Sequence, residues 1–337
     1  MVRAFVCGCL GTALSARERA FLREAAPLGV ILFKRNIGTP DEVLALTSEI
    51  RSILGRDDAF VLVDQEGGRV QRLSAPHWRR YPPAARFAAS APGLDERIAM
   101  VQLAARLMAA DLRAVGIDVD CLPVLDVPAK GSHDVIGDRA YSRDPEEVAQ
   151  LGRAAAEGLL DGGVLPIMKH IPGHGRAGAD SHLDLPVVDA PLEQLVTGDF
   201  LPFHRNASLP AAMTAHVVYT ALDPDHPATI SPIVISDIVR GAIGFDGLLF
   251  SDDLSMKALP GTFSGKAEAL FAAGVDIALH CNGDQAEAEA VASASPLLQG
   301  EALARVERAL AARRRPVLDF DPVDAALRLQ RVLAAQA

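Results

Sequence analysis

Cysteine is scarce in this 337-residue chain, and the scarcity limits how it can be held together. The four residues present, Cys7, Cys9, Cys121 and Cys281, lie in apolar surroundings and include no CxxC pair. Neither a disulfide framework nor a cysteine-based zinc site is indicated, and a reducing compartment, the cytoplasm, is the expected location. Long apolar runs are missing as well: no stretch approaches the roughly 20 residues of a membrane span. The N-terminal MVRAFVCGCLGTALSA has some features of an export signal, but two glycines interrupt its short apolar run, so it reads as a first core strand. Positive charge is in deficit, with 33 Lys and Arg against 43 Asp and Glu and a formal net charge of -10. Such a chain repels polyanions, which argues against nucleic acid as a partner. Its one dense basic run, Arg313, Arg314 and Arg315, ends an Ala/Leu-rich helical stretch just before Pro316, where cations favour a helix C-terminus.

What the chain does have is alternation. Short apolar or β-branched runs bounded by turn residues recur at 2–6, 29–33, 60–63, 117–121, 165–168, 211–215, 248–250 and 275–279. Helical patterns lie between them. Thr39-Pro40-Asp41-Glu42 opens one with an N-cap, a proline at the first position and acids in the first turn. Another, over 95–115, spaces Ile98, Val101, Ala105, Met108, Leu112 and Val115 by threes and fours and stops at Gly116. Strand and helix in alternation imply parallel strands with helical crossovers. Eight such units most simply close into a (β/α)8 TIM-type barrel, although a doubly wound open sheet also alternates. No repeat, low-complexity tract or linker divides the chain, so residues 1–337 are expected to form one catalytic domain, with helices from about 301 packed on the barrel, and a monomer is expected.

In a barrel the chemistry sits after the C-terminal ends of the strands. The polar residues at those places are Lys34-Arg35-Asn36, Asp64-Gln65-Glu66, Asp126, Lys169-His170, His216, Ser251-Asp252-Asp253 and His280-Cys281-Asn282. The segment KHIPGHGRAGADSHLDLP, residues 169–186, is the densest. Its histidines could ligate zinc, but Pro172 and Gly173 forbid the helix that would align His170 and His174 on one face. A phosphate cradle fits worse, because an anion loop leads into a helix start and this one leads to Leu-Asp-Leu-Pro. GTFSGK, 261–266, lacks the length and the hydroxyl of a P-loop. There remains Asp180 beside His182, a carboxylate that can orient an imidazole and move its proton affinity, so that one group serves as acid and then as base; the alternative is a solvent-facing loop histidine. In GLLFSDDLSM the acids end a strand, where Asp252 can attack an electrophilic carbon or stabilise a cation and Asp253 would cap a helix. In VDQEGGRVQRL, Asp64 with Arg69 and Arg72 could hold sugar hydroxyls or a carboxylate, or could simply be an internal salt bridge. Arg139, in VIGDRAYSRDP, is open to the same two readings.

VDQEGGRVQRL, VIGDRAYSRDP, KHIPGHG with ADSH and LDLP, MTAHVVY and FSDDLSM, in this order across nearly the whole chain, resemble the single-domain bacterial β-N-acetylglucosaminidases of glycoside hydrolase family 3. The resemblance implies that Asp252 is a nucleophile forming a covalent glycosyl intermediate and that His182, paired with Asp180, is the acid/base. It further implies that Asp64, Arg72, Arg139, Lys169 and His170 bind a terminal N-acetylglucosamine, with no metal or organic cofactor. The chain departs from the family pattern at Ile171, often Phe, and at Lys257, where an acid is common. Its single barrel places it with the compact subgroup associated with cytoplasmic peptidoglycan recycling, whose substrate is a GlcNAc-containing anhydro-muropeptide; a metal hydrolase using the histidine loop and a non-catalytic sugar-binding barrel are the alternatives.

Overall fold

Every second side chain of a strand points to one face, and in the computed structural model that rule divides the apolar residues into two cores. The structure describes residues 1–88, 91, 93–131, 134–178, 185–315, 317 and 319–334. Its strands are β1 (Arg3–Gly8), β2 (Pro27–Leu32), β3 (Phe60–Val63), β4 (Val119–Asp120), β5 in two pieces (Leu165–Pro166 and Met168–Ile171), β6 (Ala211–Thr214), β7 (Leu248–Asp253) and β8 (Ile277–His280). Neighbours pair in parallel in the order 5-4-3-2-1-8-7-6-5: the first piece of β5 lies against β4 and the second against β6. A further bridge from Lys169 to Val124 joins the second piece to the chain beyond β4. The eight runs read from the sequence thus make a TIM-type barrel, closed through β5.

Val6, Ile31, Phe60, Leu62, Val119, Ile167, Phe250 and Leu279 fill the barrel interior, while Phe5, Val30, Val61, Val63 and Leu249 face outward into the packing against the helices. The helices include α1 (Ala16–Ala25), α2 (Pro40–Leu54), α3 (Leu94–Ala114), α4 (Pro145–Asp161), α5 (Leu201–Arg205), α6 (Phe263–Ala273), α7 (Gln285–Ala294), α8 (Gly300–Arg313) and α9 (Pro322–Ala334). α2 has the start foreseen for it: Glu42 accepts from the Thr39 amide at 2.7 Å, Thr39 Oγ1 accepts from the Glu42 amide at 3.4 Å, and Pro40 is the first helical residue. The helical stretch expected over 95–115 is α3, while the crossover between β6 and β7 is a π-helix over Val234–Ala242 that the sequence pattern does not announce.

α8 sends Val306 and Ala309 into the inner core. Arg305 reaches Asp276, just before β8, at 3.0 Å, and Arg313 reaches Asp118, just before β4, at 2.5 Å. The helix therefore covers the end of the barrel where strands begin. Arg313 stands at the helix end as expected, but its guanidinium is engaged by a carboxylate across the barrel base. With that end closed, the opposite end, where strands finish, remains for a site. α9 lies on α3, burying Ala325 and Leu329. Among the described residues no helix is long and apolar enough to cross a membrane.

Candidate active site

The chain leaves β3 at Asp64 and at once folds into a small antiparallel hairpin, Gln65–Gly67 against Val70–Gln71. The turn needs glycine at Gly67, where φ is +95° and a Cβ would lie 2.3 Å from the Pro82 carbonyl oxygen. Folding back brings Arg72 over Asp64, Nη2 to Oδ2 at 2.9 Å. From across the barrel β5 contributes Lys169, whose Nζ lies 2.9 Å from Asp64 Oδ1 and 2.7 Å from Glu66 Oε1. Arg139 completes the row with two parallel bonds to Glu66, 2.8 and 2.9 Å. The result is an alternating chain of charges, Arg72, Asp64, Lys169, Glu66, Arg139, drawn from three separate parts of the sequence. Burial opposes ionisation of Glu66, but Arg139 and Lys169 outweigh it and hold the carboxyl down at about 2. Asp64 is likewise depressed against the effect of its burial, by Lys169 and then Arg72. Lys169, only 3% exposed at its side chain, is kept charged by Asp64 and Glu66 despite its burial. Arg69, considered above as a partner of Asp64, turns the other way: it meets Asp138 at 3.2 Å and the Asp134 carbonyl at 2.6 Å, tying down the turn that presents Arg139.

The Lys169–His170 peptide is cis, and both side chains line one cavity at the barrel mouth. His170 Nδ1 lies 2.7 Å from Oδ2 of the fully buried Asp126, while Asp126 Oδ1 accepts the amides of His170 at 3.2 Å and His174 at 2.7 Å. The carboxylate thereby organises the first turn of the histidine-rich loop, and it favours the His170 form that carries a proton on Nδ1. Burial works against the charge on Asp126, but the two histidines hold it at about 2. His174 is pushed down to about 4 by burial and by His170. An unfolded chain takes up this proton near pH 6.5 and the folded chain only near 4, so His174 costs the fold stability as pH falls through that window. The stability difference between His174→Gln and the unaltered protein is expected to move in favour of the variant by up to about 3 kcal/mol between pH 7 and pH 4, measured by urea denaturation. A difference that stays flat over that range would contradict the assignment.

Asp252, half-buried at the end of β7, faces the same cavity, and its Oδ1 accepts the Asp253 amide at 2.8 Å. Asp253 is not a helix cap. Its Oδ1 accepts the amides of Ser255 at 2.9 Å and Cys281 at 3.0 Å, and its Oδ2 accepts the Ser255 hydroxyl at 2.5 Å, so it braces the end of β7 against β8. The N-cap of the following helix is Thr262 instead, and Lys266 of GTFSGK donates to the Leu254 carbonyl at 2.8 Å. Other strand-end candidates are structural: Arg35 and Asn36 bind the Cys9 carbonyl, and His280 meets Glu287 at 3.0 Å.

One cavity thus brings together Asp64, Arg72, Arg139, Lys169, His170 and Asp252. Asp180 and His182 lie outside the described residues. Glu66, Asp126 and His174 belong to the site and were not assigned to sugar binding or catalysis from sequence; Glu66 stands two residues past Asp64, the spacing that returns an extended chain to the same face. Among the described residues no three His, Cys, Asp or Glu side chains are grouped as metal ligands.

Residues 6–312 match the N-terminal domain of glycosyl hydrolase family 3. The β-hexosaminidase of Methylococcus capsulatus is 44% identical over 283 residues, 83% of each chain. NagZ from Neisseria gonorrhoeae, solved in complex with N-trifluoroacetyl-D-glucosamine, has a TM-score of 0.85 and 32% identity, covering 99% of this chain and 96% of that one. The same protein solved with a zinc ion has a TM-score of 0.83 and 31% identity, covering 98% and 96%. With that domain spanning nearly the whole barrel and such relatives matched over most of their length, the chain belongs to glycosyl hydrolase family 3 and is a glycoside hydrolase of the β-hexosaminidase type.

Proposed function

We propose that the protein is a retaining exo-β-N-acetylglucosaminidase that removes terminal non-reducing N-acetylglucosamine from peptidoglycan-derived anhydro-muropeptides in the cytoplasm, acting as a single catalytic domain over 1–337. The observation that carries the reading is the cavity itself, in which a strand-end carboxylate, Asp252, shares one pocket with a row of fixed opposite charges. Such a row offers directed donors and acceptors to sugar hydroxyls without reorganising. In this scheme Asp64, Arg72, Arg139, Lys169 and His170 hold the hexosamine, and Asp252 attacks its anomeric carbon. The leaving oxygen takes a proton from His182, and Asp180 stabilises the imidazolium before and the imidazole after. His182 then removes a proton from the water that hydrolyses the Asp252 ester. Two inversions give net retention, and neither half-reaction calls on a metal or organic cofactor.

The ligand in the neighbouring NagZ complex, an N-acylated glucosamine, supports the hexosamine part of the reading. The test is proton NMR of the first sugar released from an anhydro-muropeptide: β-configured N-acetylglucosamine is expected, and initial release of the α-anomer would exclude a double displacement. His182→Ala is expected to slow substrates with poor leaving groups by about 10²-fold or more and an activated aryl glycoside far less, because only the former need the proton as the bond breaks. Equal losses on both would remove the acid role.

A further inference from the structure

Behind Asp252 lies a buried hydrogen-bonded ring that the scheme above does not use. Thr214 at the end of β6, Thr229 in the short helical turn Ala228–Ile230, and His216 are each 0% exposed. The Asp252 amide donates to Thr214 Oγ1 at 3.3 Å. Thr214 Oγ1 is 2.7 Å from Thr229 Oγ1, which is 2.7 Å from His216 Nδ1, and His216 Nε2 is 3.1 Å from the Asp253 carbonyl oxygen. The two ends fix the direction of the chain. An amide N–H can only donate and a carbonyl can only accept, so Nε2 of His216 carries a proton. Burial lowers the proton affinity of this imidazole, which makes it neutral and its Nδ1 an acceptor. Asp252 N–H then donates to Thr214, Thr214 O–H to Thr229 and His216 Nε2–H to the Asp253 carbonyl, while the one Thr229 O–H proton is shared between His216 Nδ1 at 2.7 Å and the Ala215 carbonyl at 3.1 Å.

We infer that Thr214, Thr229 and His216 are positioning residues that clamp the backbone on both sides of Asp252 and so aim its carboxylate at the sugar. The inference rests on the reading of Asp252 as nucleophile. A carboxylate at a strand end is free to tilt with its backbone, and Asp253 already ties the next residue to β8; the ring ties the amide on one side and the carbonyl on the other to β6 and the loop behind it. None of the three side chains needs to touch substrate, which separates them from the residues that hold the hexosamine.

The isosteric change Thr229→Val removes the hydroxyl at the centre of the ring. It is expected to lower kcat by about tenfold to a hundredfold, the effect of a displacement of about 1 Å at a reacting group, with KM nearly unchanged because the sugar-holding row is intact. Thr229→Ser, which restores the hydroxyl, is expected to recover most of kcat. Should Thr229→Val fail to fold, Thr214→Val removes the bonds to the Asp252 amide and to Thr229 and carries the same expectation. The rate at which a 2-acetamido-fluorosugar labels Asp252, followed by mass spectrometry, should fall in parallel with kcat. Labelling at the unaltered rate in a folded Val variant, or equal losses in the Val and Ser variants, overturns the clamp while leaving the nucleophile in place. No adduct on Asp252 in the unaltered protein overturns the nucleophile and the clamp with it.

Discussion

Asp252→Ala is expected to lower kcat/KM on an aryl β-N-acetylglucosaminide by at least about 10³-fold, equivalent to about 4 kcal/mol of barrier, with the fold retained. The argument is one of position. Asp252 is the last but one residue of β7, its Oδ1 rests on the Asp253 amide, and its side chain is only half-buried, so truncation leaves no buried charge without a counterpart. The load of holding β7 to β8 falls on Asp253, which is unchanged in the variant. Activity and stability should therefore separate: turnover vanishes while the denaturation midpoint moves little. Azide added to the variant with an activated substrate should restore cleavage and give the α-glycosyl azide, because a small anion can enter from the face the carboxylate occupied and the sugar then suffers one inversion instead of two. Full residual turnover in the variant, or rescue that yields the β-azide, would remove Asp252 from the nucleophile's role.

The barrel was legible because its strands are short runs of residues such as Phe60-Val61-Leu62-Val63, wholly buried on both faces and stopped by a charge; local composition alone marks such segments. The break of β5 around Ile167 and the π-helix over Val234–Ala242 were not, since they follow from how distant elements meet rather than from any local period. At the site, Asp64, Lys169, His170 and Asp252 stood out as polar residues directly after apolar runs. Glu66 stood in the same group but was given no role, because its importance appears only once the hairpin turns at Gly67 and Lys169 arrives from a strand a hundred residues later. Asp126 was noted at a strand end, but the three bonds it accepts come from His170 and His174, forty-four and forty-eight positions away. Reading charge one residue at a time finds the members of such a network and misses which of them hold the others. Arg69 shows the converse, a cation beside the site in sequence that serves the scaffold by pinning the turn before Arg139.

Lys169→Met is the substitution expected to damage stability most. The methionine fills similar volume, but Asp64 and Glu66 lose the cation they share, and removing one partner of a buried ion pair costs about 3–5 kcal/mol, because a charge is left in the interior without compensation. Arg72 and Arg139 remain on their outer sides, which keeps the variant folded and places the loss nearer the lower figure. The pH dependence identifies the cause. In the unaltered protein both carboxyls ionise below their ordinary range, Glu66 at about 2 against a usual 4.5. Stability from that depression is fully present above pH 4.5 and disappears as the pH falls toward 2. Without Lys169 the depression is weakened, so the stability gap between the two proteins should be widest above pH 4.5 and should narrow as the pH falls from there toward 2, measured by urea denaturation at intervals from pH 7 to pH 2. A gap of constant size would mean that methionine is simply a poor fit in the barrel and that the ammonium contributes packing rather than charge. Activity follows from the same balance: with the shared ammonium gone, the row loses its fixed pattern of donors and acceptors, and the variant should show a raised KM for the hexosaminide as well as a lowered kcat.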